Sequence, residues 1–167
     1  MSDNEQKRHV ISIHEAGHAV VGILLGGQVE GIQMAGKHEC RCRFRLEDPS
    51  ARNRATDRER ADYFRRVSLK AIGGWGAEYV FFGQDSEGAA EDFQTSGAAV
   101  REMWRYGGRK NSDIECHKRV VYRLFKSPHV QATIECLASE IRNRDFITGP
   151  EVHAIVKPYF ADPNEHA

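Results

Sequence analysis

The residues of this chain with the clearest capacity for chemistry are His14, Glu15 and His18. Histidines four apart on a helix are separated by roughly 40° of rotation and about one turn of rise, so both imidazoles can converge on one ion from one face. Glu15, beside the first histidine, can reach water on that ion. The pattern is HExxH: two neutral imidazole ligands and a carboxylate general base, the donor set of zinc-dependent hydrolysis. The triplet interrupts an apolar run from Val10 to Leu25. Two histidines and a glutamate among Ile13, Ala16, Ala19, Val20 and Val21 need partners, because buried polar groups left alone are costly. A metal meets that need more simply than an ordinary polar helix face does.

Catalytic zinc takes three protein ligands and keeps one position open. A third histidine six residues past His18, with a glycine at the third, is excluded, since those positions are Leu24 and Val21. A downstream glutamate followed four residues later by aspartate is absent too: Glu78 precedes Phe82 and Glu87 precedes Glu91. Asp92 remains attractive, because it falls early in a helical segment among alanines and a glycine that leave room for an ion. Glu78 is a candidate for orienting one histidine through its other ring nitrogen; an ordinary helix carboxylate is the equal alternative.

These residues need a scaffold. Residues 9–25 read as the metal-bearing helix, with Gly26 and Gly27 where a left-handed terminus belongs. Val29 to Met34 reads as a short strand, residues 35–38 as its turn, and Glu39 to Leu46 as a second strand. That second segment alternates strictly, Cys40, Cys42, Phe44 and Leu46 against Glu39, Arg41, Arg43 and Arg45. The alternation makes the two thiols inward-facing apolar residues rather than a second metal site, and the arginines a solvated outer face. Thr56 to Glu59 is a capping box opening a long helix that ends at Gly83. Its glycines, Gly73, Gly74 and Gly76, each cost about 1 kcal/mol relative to alanine. They make sense if another backbone approaches closely, and the metal helix with Gly17 and Gly22 is the natural partner. Helices follow at 87–106 with Ser86 as its cap, from Asp113, from Ser127-Pro128, and after the capping box Thr148–Glu151. The other histidines, His117 and His153 among them, read as surface or helix-end residues.

The chain has 167 residues, and lysine plus arginine equals aspartate plus glutamate at 24 each. A neutral balance argues against nucleic acid as the main partner. Residues 1–8 are polar and read as a flexible leader, 9–160 as a single domain and 161–167 as a flexible tail. No apolar run is long enough to cross a bilayer, and the four cysteines form no disulfide framework. The expectation is a cytoplasmic protein with reduced thiols and no membrane insertion.

Several ordered segments resemble the peptidase domain of the FtsH-type ATP-dependent zinc metalloproteases. His14 to Ala19 matches that family's HEAGHA, and Gly73-Gly74-Trp75-Gly76-Ala77-Glu78 is similar to its GGRxAE. Gly83, Ser86, Gly88-Ala89 and Asp92-Phe93 resemble its FG…TxGAxxDL. Arg101, Met103 and Gly107 follow its ARxMVxxxG, and Ile147 to Glu151 looks like its LxGxE tail. The resemblance implies a mainly α fold, helical with a small β-hairpin or sheet beside the HExxH helix. It also implies Asp92, 74 residues after His18, as the third zinc ligand. Trp75 and Tyr79 replace the family's arginine and second glutamate, Phe93 replaces a leucine, and Ser96-Gly97 replaces a closing Ala-Thr.

With no GxxxxGK[ST] phosphate loop in these residues, the expectation is a stand-alone peptidase domain lacking the ATPase and transmembrane parts. It would hydrolyse unfolded or extended polypeptides with zinc-activated water and Glu15 as general base, ATP-independent in itself. The substrate would lie along an exposed edge of the 39–46 strand. A homo-oligomer or a separate ATPase or adaptor partner is left open. The alternative is a metal-bound, non-proteolytic domain that grips a peptide or protein in the same cleft.

Overall fold

The structure, a computed structural model, describes residues 2–35, 39–52, 54–84 and 88–159. The expected turn at 36–38, the Ser86 cap with Glu87, and the tail 161–167 lie outside the described residues. The fold is mainly helical with one small antiparallel sheet. No helix among the described residues is long and apolar enough to cross a membrane.

Helix α1 spans Asp3–Leu24, beginning six residues before the predicted start. The reason is local: Ser2 and Glu5 form a reciprocal capping box, the Ser2 amide donating to Glu5 Oε2 at 2.7 Å. Residues 3–8, expected to be loose, are therefore the first turns of the helix that carries His14 and His18. Gly26 takes the left-handed conformation just past its end, at φ 78°.

Strands β1 (Gln28–Ala35) and β2 (Glu39–Arg45) pair antiparallel. Val29, Ile32, Met34 and Cys40 are buried, with Cys42 and Phe44 packed beside them, so this face meets α1 as the alternation predicts. A third strand, β3 (Phe146–Thr148), pairs with β1 on its other side, Ile147 opposite Ile32. It was absent from the sequence expectation because three residues are too few to show a period of two. The sheet order is β2-β1-β3, which leaves β2 at an edge.

Helix α2 spans Asp57–Phe82, opens on the Thr56–Glu59 capping box and stops at Gly83 with φ 71°. It crosses α1 where Gly17 and Gly73 meet. A Cβ added at Gly73 would lie 2.8 Å from the Gly17 carbonyl, and one at Gly17 would collide with the Gly73 carbonyl. Two backbones touch there, as three costly helix glycines imply. Gly22 belongs to a different contact: the ring of Phe44 from β2 fills its space.

Helix α3 spans Ala89–Arg105 and starts at Gly88 with no side-chain cap, two residues later than predicted. Helix α4 (Ile114–Phe125) is capped by Asp113, which accepts from the Cys116 amide at 2.8 Å. Helices α5 (Pro128–Asn143) and α6 (Gly149–Val156) follow, the latter opened by the Thr148–Glu151 capping box. Ile13, Ile72, Phe125, Ile134, Leu137, Ile141 and Ile147 are fully buried and join these elements in one core.

Candidate metal centre and cleft

Burial on α1 places His14 and His18 on one stripe facing α2 and α3. Their Nε2 atoms lie 3.0 Å apart. Asp92, in the first turn of α3, reaches the same point: Oδ1 is 3.2 Å from His18 Nε2 and Oδ2 is 3.4 Å from His14 Nε2. The three side chains form the one group among the described residues that could hold a metal ion.

Each imidazole is oriented from behind. His14 Nδ1 lies 2.8 Å from Glu78 Oε1 on α2. His18 Nδ1 lies 2.9 Å from the Lys70 carbonyl oxygen. The carboxylate and the carbonyl can only accept, so the Nδ1-protonated tautomer serves both contacts and leaves both Nε2 lone pairs facing inward; the Gly74 amide also lies 3.2 Å from His18 Nδ1. The carbonyl of Lys70 was not foreseen. The available signal was Gly74, one turn further on, whose missing side chain lets an imidazole approach helix backbone. A Cβ at Gly74 would sit 2.5 Å from His14 Nε2 and 2.6 Å from His18 Nε2.

With both imidazoles neutral, two lone pairs and a carboxylate meet with no proton donor to share, and Asp92 Oδ2 is buried without a hydrogen-bond partner. Acceptors so arranged repel one another unless a cation lies between them. In a tetrahedral zinc site the ligand atoms stand about 3.3 Å apart, from bond lengths near 2.0–2.1 Å; the 3.0–3.4 Å separations here fit that spacing. The field has the matching sign. Burial resists charging His14, yet the Glu78 hydrogen bond and the charges of Asp92, Glu78 and Glu15 outweigh it and lift its pKa above 6.5. The donor set fits zinc.

Glu15 lies on the adjoining face of α1 and lines the same open cleft, of about 1310 Å³. Its Oε2 accepts a 2.7 Å hydrogen bond from the Cys42 amide of β2. No side-chain pattern could have revealed that contact, because the donor is backbone. Cys40 and Cys42 stand on the inner sheet face. Burial, then the charge of Glu15, pushes both thiols up to about 12, so they remain neutral rather than act as thiolate ligands.

One other expectation changes, while His153 lies in the last turn of α6 as a helix-end residue. His117 is not a surface residue: it is 2 % exposed and lies between Ser68 Oγ at 2.6 Å and Ser112 Oγ at 2.9 Å. His153 meets the sheet, its Nε2 3.3 Å from the Val29 amide. Trp75 stacks on Tyr79 at 5.3 Å, with the Lys118 ammonium 4.7 Å from its ring centre. The bulky residue in the glycine stretch thus packs against α4 within the chain.

Comparison with known proteins follows the same residues. The chain is 22% identical over 194 aligned positions, 92% of its length, to the ATP-dependent zinc metalloprotease FtsH of Methylococcus capsulatus. It is 30% identical over 102 positions, 60% of its length, to the FtsH protein of Paraburkholderia phymatum. It is likewise 30% identical over 115 positions, again 60% of its length, to the chloroplastic ATP-dependent zinc metalloprotease FTSH 1 of Oryza sativa subsp. japonica. It spans 30%, 15% and 15% of these curated relatives' own lengths. Residues 1–119 match the sequence profile of Peptidase family M41. That single match takes in every side chain converging on the floor of the cleft, and on it the chain belongs to Peptidase family M41.

Proposed function

We propose that this chain is a zinc-dependent endopeptidase domain, with His14, His18 and Asp92 as metal ligands and Glu15 as general base. One observation carries the reading: two inward-facing imidazole nitrogens and a buried carboxylate meet within 3.4 Å, with Asp92 Oδ2 unpartnered. When bound there, zinc supplies Lewis acidity, making water a better nucleophile and a peptide carbonyl a better electrophile.

The chain's own groups do the rest. Glu78 and the Lys70 carbonyl keep both imidazoles in the tautomer that presents Nε2. Glu15 takes the proton of the attacking water and delivers it to the leaving amine. The Cys42 amide fixes the carboxylate for that transfer. The substrate lies extended along the outer edge of β2, where main-chain pairing accepts many sequences. The relatives named as zinc metalloproteases support the class of reaction, and hydrolysis at this site needs no nucleotide.

Cleavage of an unfolded protein such as casein, with and without chelator, tests the proposal. Activity should vanish with chelator and return with zinc, and Glu15→Gln should lower kcat by at least about 10²-fold while zinc content is retained. A Glu15→Gln variant that cleaves like the wild type sinks the general-base assignment. Peptide binding without any cleavage would favour the non-proteolytic alternative.

A further inference from the structure

The edge strand beside Glu15 is basic on its outer face, and no ion pair among the described residues neutralises it. Arg41, Arg43 and Arg45 are exposed. Among the described residues none of the three has an ion pair, whereas Arg52, Arg60, Arg65 and Arg66 all do. Their register partners on β1 are the uncharged Gln33, Gly31 and Gln28, with the exposed Glu30 at the bulge between Val29 and Gly31 as the one acidic residue of that strand. Like charges at alternate strand positions stand about 7 Å apart and repel. A strand face of this kind is unfavourable by itself in a chain whose net charge is zero.

The face is also in the right place. Arg41 and Arg43 line the cleft together with Glu15, His14 and His18. The Cys42 amide points to Glu15 and away from β1, so by strand alternation the backbone groups of Cys40 and Phe44 point outward as well. A peptide pairing there extends the sheet. Its alternate side chains then stand next to Arg41 and Arg43 at cross-strand distance, about 5 Å between Cβ atoms. The intervening side chains turn inward beside Cys40 and Cys42. A carboxylate at that distance meets a guanidinium fork with matching geometry.

We propose that Arg41 and Arg43, supported by Arg45, make the β2 edge selective for extended peptides that carry aspartate or glutamate at alternate positions. This rests on the reading that a peptide lies along β2, and it assigns the substrate class. The arginines are specificity residues: they touch side chains flanking the scissile bond.

The test uses three quenched fluorogenic peptides, identical except for Glu, Gln or Lys at the alternate positions. Zinc-loaded protein should cleave them in the order Glu, Gln, Lys, with kcat/KM for Glu about tenfold above Lys at low salt. The ratio should shrink at about 0.5 M salt. Arg41→Glu/Arg43→Glu should reverse the order, and Arg41→Gln/Arg43→Gln should flatten it, the second pair covering the case in which the first fails to fold. Arg109→Glu/Lys110→Glu, exposed between α3 and α4 and outside the cleft lining, should keep the wild-type order. Fluorescence anisotropy of the same peptides on Glu15→Gln protein reads binding without cleavage.

Cleavage with no charge ranking, or a ranking that survives both arginine pairs, overturns the selectivity and leaves the peptidase reading intact. Ranked binding without cleavage by the wild type supports the selectivity and removes the peptidase reading. Neither binding nor cleavage overturns both. Tighter binding of a single-stranded oligonucleotide than of the Glu peptide, lost in the arginine variants, assigns the face to nucleic acid and overturns the proposal.

Discussion

The Glu15 carboxylate is tied to the backbone of Cys42: Oε2 accepts the Cys42 amide at 2.7 Å. This bond joins α1 to the edge strand, so the proposed general base and the proposed substrate platform are one mechanical unit. Because the Cys42 amide faces Glu15 rather than β1, it contributes no bond to the sheet ladder.

That orientation predicts an asymmetry between neighbours. Cys42→Pro removes the amide without removing a ladder bond, a position edge strands tolerate. The strand should persist, and kcat should fall about tenfold as the base loosens. Arg43→Pro, whose amide faces β1, should unfold the hairpin. Kinetics together with thermal unfolding monitored by circular dichroism check both. Equal activity of Cys42→Pro and wild type would show that the bond does not position Glu15.

The space at Gly74 is needed by both imidazoles. Gly74→Ala places a Cβ 2.5 Å from His14 Nε2 and should weaken zinc binding at least about tenfold. Glu78→Gln should weaken it by about 10- to 100-fold through the loss of the carboxylate behind His14. Gly97→Ala, where an added Cβ makes ordinary contacts of 3.4 Å or more, should bind zinc as the wild type does. Competition against a chromogenic chelator gives the three affinities, and indistinguishable values would contradict the assigned centre.

Buried His117 gives stability a pH dependence remote from the cleft. Burial, then Arg65, lowers its pKa below 6.5, against a smaller opposing effect of Asp113. The unfolded chain therefore binds this proton at higher pH than the folded chain does. The contribution is complete above pH 6.5 and is lost as pH falls from there through the folded-state pKa. Urea unfolding of the wild type from pH 8 to pH 5 should show the decline, and His117→Gln should flatten part of it. A variant with an unchanged pH slope would refute the assignment.

Thiol chemistry separates the sheet from the surface. Cys136 is exposed, while Cys40 and Cys42 titrate only near 12. At pH 8 an aromatic disulfide reagent should modify Cys136 rapidly and leave Cys40 and Cys42 intact until the protein is denatured. Mass spectrometry of partially modified protein locates the adducts. Early modification of Cys42 would show that the inner sheet face opens to solvent.

What the sequence determined by itself is what depends on neighbours a few residues apart. His14 and His18 share a face because a helix repeats every 3.6 residues. The capping boxes at Thr56 and Thr148 mark real helix starts, and the alternation from Glu39 to Leu46 sorts thiols from arginines, because both patterns complete themselves locally. Even the contact of Gly17 with Gly73 was legible, since repeated helix glycines are unfavourable without a close neighbour. Tertiary structure alone decided the rest. The reach of Asp92 to His18, the Lys70 carbonyl behind that imidazole, the Cys42 amide on Glu15, the pairing of β3 with β1 and the burial of His117 all join residues distant in the chain. Several of them use backbone atoms, which every residue carries and no residue type announces.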